Sequence, residues 1–152
     1  MGGTKPHTVH RQDIESAQMP AIAEPLTADP AITRDQARHA LHGFFRIMDL
    51  WQADNSHARA ILGHPAERTF YKWRAGEVGS VPLDVIRRVG YVSGIWKALQ
   101  ILYSDHVQAD TWVRRPNRHF GDQTPLDRMS AGDVTDLAAV RQYLDAARGP
   151  WS

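Results

Sequence analysis

From Thr33 onward the apolar residues return every three or four positions and nowhere alternate, and this restricts the chain to packed helices. Ala37, Ala40, Leu41, Phe44, Phe45, Met48 and Trp51 draw one stripe along a first helix. Thr33-Arg-Asp-Gln36 just ahead of it has the pattern of a capping box, in which the threonine oxygen accepts a first-turn N–H and Gln36 reaches back. A second helix should start near Asn55 or Ser56, carry Ala58, Ile61 and Leu62, and stop at Gly63. Pro65 should open a third, AERTFYKWRA, which Gly76 ends. Pro82 should open a long helix reaching about Ser104, with Val85, Ile86, Val89, Trp96, Leu99, Leu102 and Tyr103 on its inner face. Gly90 and Gly94 within it cost stability but allow another helix or a second copy to come close. A further helix is expected from about Val107 to Arg115. Thr124-Pro-Leu-Asp127 reads as another helix start: threonine cap, proline first, carboxylate in the first turn. A last helix from about Val134 to Ala147 should present Leu137, Val140, Arg141 and Leu144 on one side and close at Gly149-Pro150.

The expected fold is all-α, in two parts joined by the long helix: residues 33–80 and residues 81–152. Residues 1–32, interrupted by Pro6, Pro20, Pro25 and Pro30 and without apolar period, read as a disordered tail. In 152 residues with 42% hydrophobic content no apolar run approaches the roughly 20 residues of a spanning helix. The first residues lack the apolar stretch of a signal peptide, so a cytoplasmic protein away from membranes is expected. With no cysteine, disulfides and thiolate metal sites are excluded.

Enzyme chemistry finds little purchase. There are eight histidines, but His39 and His42 lack further ligands at metal spacing, and no HExxH pair, P-loop, nucleophile elbow or Gly-rich dinucleotide turn is present. Asp122 with Asp127, or His119 with Asp122, point to no particular reaction and read as solvated groups. No catalytic residue, metal or cofactor is expected.

Ala58 to Gly76 has a helix-turn-helix layout: a short helix ending in glycine, a tight turn, and a second helix with Phe70 and Trp73 three apart. With those two in the core, Glu67, Arg68, Tyr71 and Lys72 would face a DNA major groove, and Arg59 or Arg74 could touch phosphate. Thr69, Phe70, Trp73 and Gly76 resemble the second helix of Xre-like bacterial helix-turn-helix domains. Yet from Ala53 to Ser80 four basic residues face three acidic ones, and net charge over the chain is +1. Because phosphate contacts dominate DNA affinity, one such module should bind weakly unless a dimer doubles the contacts.

The stretch WVRRPNRHFGDQTPLD, Trp112 to Asp127, is richer than an ordinary connector. Pro116, Gly121 and Pro125 restrict or direct its backbone, lowering the entropy lost on docking. Arg114, Arg115 and Arg118 offer donors suited to carboxylate or phosphate. Trp112, Phe120 and Leu126 read as a small core for the C-terminal helices. Together with Ile95–Tyr103 and Ala109–Asn117, the stretch resembles the C-terminal domain of the MbcA/ParS/Xre antitoxins. Trp112, Pro116, Asn117, Gly121, Pro125, Leu126 and Asp127 match that family's loop. Phe120 stands where leucine is common, Asp122 replaces a second glycine and Thr124 replaces serine. Asp122 is the substantive departure if its backbone needs positive φ.

The resemblance implies a type II antitoxin that binds a RES-domain toxin, which consumes NAD or transfers ADP-ribose from it, and blocks the toxin's NAD-binding cleft. It further implies a homodimer within a larger toxin–antitoxin complex and repression of the shared operon through operator DNA. Toxin contact would fall to Arg114, Arg115, Asn117, Arg118 and Arg148, with Trp151 and Ser152 entering or covering the cleft. A free tryptophan leaves about 2 kcal/mol of burial unrealised, and tryptophan and arginine are frequent hot spots. The alternative is a stand-alone helix-turn-helix transcriptional regulator without a toxin partner.

Overall fold

The computed structural model describes residues 32–149, and their regular structure is helical throughout. Helix α1 spans Arg34–Leu50. Its start is the expected capping box: the Gln36 N–H donates to Thr33 Oγ1 at 3.0 Å, and the Thr33 N–H donates to Gln36 Oε1 at 2.9 Å. Ala37, Leu41, Phe44, Phe45, Ile47 and Met48 form its buried face, and Trp51 follows them into the interior.

Helix α2 spans Asn55–Ile61, capped by Asp54, whose carboxylate accepts the His57 N–H at 2.8 Å. Both Gly63 and His64 then adopt positive φ, +90° and +59°. Helix α3 spans Glu67–Arg74. Pro65 does not open it; the proline lies ahead of the cap residue Ala66, whose ψ of 142° is extended, and the Pro65 carbonyl accepts Arg59 Nε at 2.7 Å. Gly76, at φ +93°, ends the pair as expected.

Helix α4 spans Leu83–Leu102, shorter than the reach to Ser104, since Tyr103 is already extended. Its inner face also differs from expectation. Val85, Arg88, Val89, Val92, Ile95, Ala98 and Leu99 are buried, while Ile86, Trp96, Leu102 and Tyr103 lie at the margins. Residues adjacent in sequence lie about 100° apart on a helix, so a stripe drawn one position off moves from core to rim. A Cβ at Gly94 would run into the Arg141 guanidinium, whereas Gly90 faces open space. The close approach thus belongs to Gly94 alone.

Helix α5 spans His106–Thr111, and the chain then tightens into a 3-10 turn, Trp112–Arg114, rather than continuing as α-helix to Arg115. The tighter turn leaves Trp112 and Val113 buried and breaks before Pro116, whose ring disfavours helix at the preceding residue. A second 3-10 turn, Arg118–Phe120, leads to helix α6, Pro125–Met129, and then helix α7, Val134–Arg148. Thr124 caps α6 as expected, its Oγ1 accepting the Asp127 N–H at 3.0 Å. Helix α7 packs along α4 and buries Leu137, Val140 and Leu144, with Arg141 at the edge. One apolar cluster runs from Leu41 to Leu144 and is continuous across residue 80.

Candidate interaction surfaces

The loop between α5 and α6 is held from inside. Trp112, Phe120 and Leu126 are buried, and Tyr143 of α7 packs on the two aromatic rings, 6.0 Å from Trp112 in a stack and 5.4 Å from Phe120 edge-on. His119 lies 4.6 Å from the same ring. Asn117 organises the backbone. Its side chain accepts the His119 N–H at 2.8 Å, and its carbonyl accepts the N–H groups of Phe120 and Asp122, both at 3.0 Å. Its own N–H reaches the Gln123 carbonyl at 2.9 Å, closing the turn on itself. Gly121 and Asp122 both sit at φ +68°, so the position where the family prefers a second glycine does require the left-handed conformation. Aspartate tolerates it better than most residues.

This arrangement divides the predicted toxin contacts. Arg115 and Arg118 are exposed on the loop. Arg114 is half-buried, and its Nε has no hydrogen-bond partner among the described residues. Asn117 is occupied within the loop. Arg148, at the end of α7, is half-buried with Nη1 4.0 Å from Asp145. Trp151 and Ser152 lie outside the described residues.

On the helix pair, Phe70 and Trp73 are buried, and Glu67, Arg68, Tyr71 and Lys72 stand exposed along α3. Arg59 is committed to the Pro65 carbonyl. Arg74 donates to Asp49 at 2.8 Å and lies over the Phe45 ring at 5.0 Å. Arg59 therefore braces the turn between α2 and α3, and Arg74 ties α3 to α1. A cleft of about 270 Å³ opens among Asn55, Ser56, Arg59, His64, Glu67 and Tyr71. A second, of about 370 Å³, lies between α1 and α3, with Phe45, Trp73 and Val78 in its walls.

The sequence reading missed the groups that join the helix pair to the C-terminal helices. Arg88 is buried on α4. Its Nε donates to Asp84 at 2.8 Å, and its Nη1 donates to the Ile61 carbonyl at 3.3 Å and the Gly132 carbonyl at 3.0 Å. Gly63 leaves room for that guanidinium: a Cβ there would lie 3.0 Å from Arg88 Cζ. His57 lies between two carboxylates, Nδ1 2.8 Å from Asp54 and Nε2 3.1 Å from Asp127. Burial disfavours the charged ring, but the two carboxylates outweigh it and raise the His57 pKa above its ordinary value. Asp54 is held below the usual carboxylate range, first by the His57 backbone N–H. No spacing rule exposes a pair seventy positions apart.

Among the described residues no group of three or more His, Asp or Glu is placed to hold a metal ion. No helix among them is long and apolar enough to cross a membrane.

The C-terminal toxin-binding domain of the Xre/MbcA/ParS antitoxins matches residues 98–150. An uncharacterized protein of Sinorhizobium fredii, y4oB, is 44% identical over 129 residues, which cover 84% of this chain and 99% of that relative. Among solved structures no match reaches significance. The matched region contains the whole Asn117-centred loop, the α6 start and helix α7, and on these grounds the chain belongs to the Xre/MbcA/ParS antitoxin family and carries its toxin-binding domain.

Proposed function

We propose that this protein is a type II antitoxin that inhibits a RES-domain toxin by covering its NAD-binding cleft. The observation that carries the reading is the family match over residues 98–150, which falls on the rigid, arginine-bearing loop. Internal hydrogen bonds and the Tyr143 contacts set that loop before any partner arrives, so little ordering entropy opposes docking. Arg115 and Arg118 are its outward donors and would meet carboxylate or phosphate groups at the cleft, with Arg114 and Arg148 at the edges. Asn117 acts through the loop's shape. Trp151 and Ser152, beyond α7, would enter or cover the cleft. The toxin's chemistry, hydrolysis of NAD or transfer of its ADP-ribose, is blocked alike when that cleft is covered. The antitoxin acts in the cytoplasm as a homodimer within a larger complex and represses its operon through the α2–α3 pair.

The exposed Arg68, Tyr71 and Lys72 favour operator binding as the second role. Arg68 and Lys72 are the phosphate-seeking groups, and Glu67 and Tyr71 are placed for base edges. With so few cations per copy, two copies must engage two half-sites.

The test uses the purified product of the adjacent gene, its NAD consumption being measured with increasing antitoxin. The intact chain should abolish turnover at a stoichiometric ratio. The R115A/R118A double variant, folded by circular dichroism, should weaken inhibition at least tenfold. Full turnover in the presence of excess intact antitoxin would reject the reading.

A further inference from the structure

His57 adds a further contact between the α2–α3 pair and the C-terminal helices, beside those made by Arg88. Arg88 bridges Ile61 at the end of α2 to Gly132 between α6 and α7. A Cβ at Gly132 would lie 3.5 Å from the His64 ring. His57 then joins the cap of α2 to Asp127 of α6, the aspartate of the Pro-Leu-Asp motif. This last contact differs from the others because its chemistry depends on a proton.

Ionised carboxylates accept hydrogen bonds and donate none. Both His57 nitrogens face a carboxylate oxygen, so both must carry hydrogen, and only the imidazolium provides two ring N–H groups. A neutral ring keeps one N–H and turns a lone pair toward the other carboxylate, exchanging attraction for repulsion at contact distance. The two sides are not equivalent. Asp54 Oδ1 is fixed by the His57 backbone N–H at 2.8 Å as well as by Nδ1, so the remaining proton stays on Nδ1. The proton lost is that of Nε2, which faces Asp127, and the broken contact is the one that crosses between the units.

We infer that His57 is a proton-operated latch tying the α2–α3 pair to the Pro-Leu-Asp helix of the toxin-binding domain, closed when the ring carries both protons. Other charged groups nearby are directed elsewhere. Arg59 of α2 is bound to the Pro65 carbonyl. Arg128 of α6 donates to Asp136 at 3.0 Å and lies over Phe120. Arg88 is committed to Asp84 and two carbonyls. Asp54 and Asp127 are thus the charges that act on the ring, and both favour its protonated form. Because the folded pKa lies above the unfolded value, the latch contributes fully below the unfolded pKa of about 6.5 and is lost as pH rises through the folded value. The inference stands on this geometry and is independent of which toxin is bound.

Nitrogen-15-labelled full-length protein can be followed by long-range proton–nitrogen spectra of the histidine rings, with His57 assigned by its loss in H57Q. Both His57 nitrogens should be protonated below a midpoint that lies above the ordinary histidine value. Asp127→Asn should lower that midpoint. The backbone amide signals of Asp127 and Arg128 should move with the same midpoint in the wild type and lose that response in H57Q. Thermal stability of the wild type should fall as pH rises through the midpoint, and H57Q should lack that component. A His57 ring that titrates at or below its ordinary value would overturn the inference, as would α6 amides that ignore its titration. The pH response of the Asp127 and Arg128 amides in the wild type decides the matter even if a variant fails to fold.

Discussion

Arg88→Met tests whether the end of α2 and the turn between α6 and α7 are clamped by a buried charge. Methionine retains most of the apolar stem and removes the guanidinium, so the change measures the head group rather than a cavity. The Asp84 contact contributes little, because that carboxylate is about half exposed and returns to water. The effect rests on the Ile61 and Gly132 carbonyls, which lose a charged donor; such bonds contribute about 1.5–3 kcal/mol each. The 3.3 Å bond to Ile61 is the weaker. Removing a buried charge also returns its desolvation cost, which offsets part of the loss. The expected net destabilisation is about 2–3 kcal/mol, or a fall of roughly 5–10 °C in unfolding midpoint. Arg88→Lys keeps the charge without the fork and should recover less than half of the loss. Urea unfolding with an unchanged slope is the assay, since a constant slope shows that the same surface is exposed. A methionine variant as stable as the wild type would refute the reasoning. Desolvation would then outweigh the hydrogen bonds, and Arg88 would be tolerated rather than required.

Three other outcomes follow from the same geometry. Asp122→Val should cost about 1–2 kcal/mol because a β-branched residue is strained at positive φ, whereas Asp122→Gly should not destabilise; thermal unfolding of the pair checks this. Asn117→Ala should cost about 1 kcal/mol and open the loop to proteolysis near Arg118, since it removes the side-chain cap of the 3-10 turn. If α3 reads an operator, Arg68→Ala and Lys72→Ala should each reduce the salt slope of binding by about 1, while Arg74→Ala should lower stability instead, through loss of Asp49 and Phe45.

Local rules and distant contacts were unequally legible in the sequence. Thr33 and Thr124 were readable as caps because a cap involves residues three apart, and Gly63 and Gly76 as stops because positive φ is a property of one position. The buried loop residues Trp112, Phe120 and Leu126 were readable because aromatic and apolar side chains at a loop base have few other places to go. Arg88 was not, since a charged residue on a helix ordinarily faces water and nothing local marks its two carbonyl partners. The start of α3 differs from expectation because the extended cap is Ala66, one residue beyond Pro65, and a proline marks a helix start only to within a residue or two. For the proposed toxin contacts, the arginine pattern was visible, but only the structure separates the exposed Arg115 and Arg118 from Asn117, whose side chain caps the loop's own turn.

The most direct test of the antitoxin account is to express the adjacent gene in a bacterial host with and without this protein and to record growth and cellular NAD. The account predicts that the neighbour alone arrests growth with falling NAD, and that co-expression restores both while the two proteins purify together. A harmless neighbour, or one that stays toxic and unbound in the presence of this protein, would contradict it.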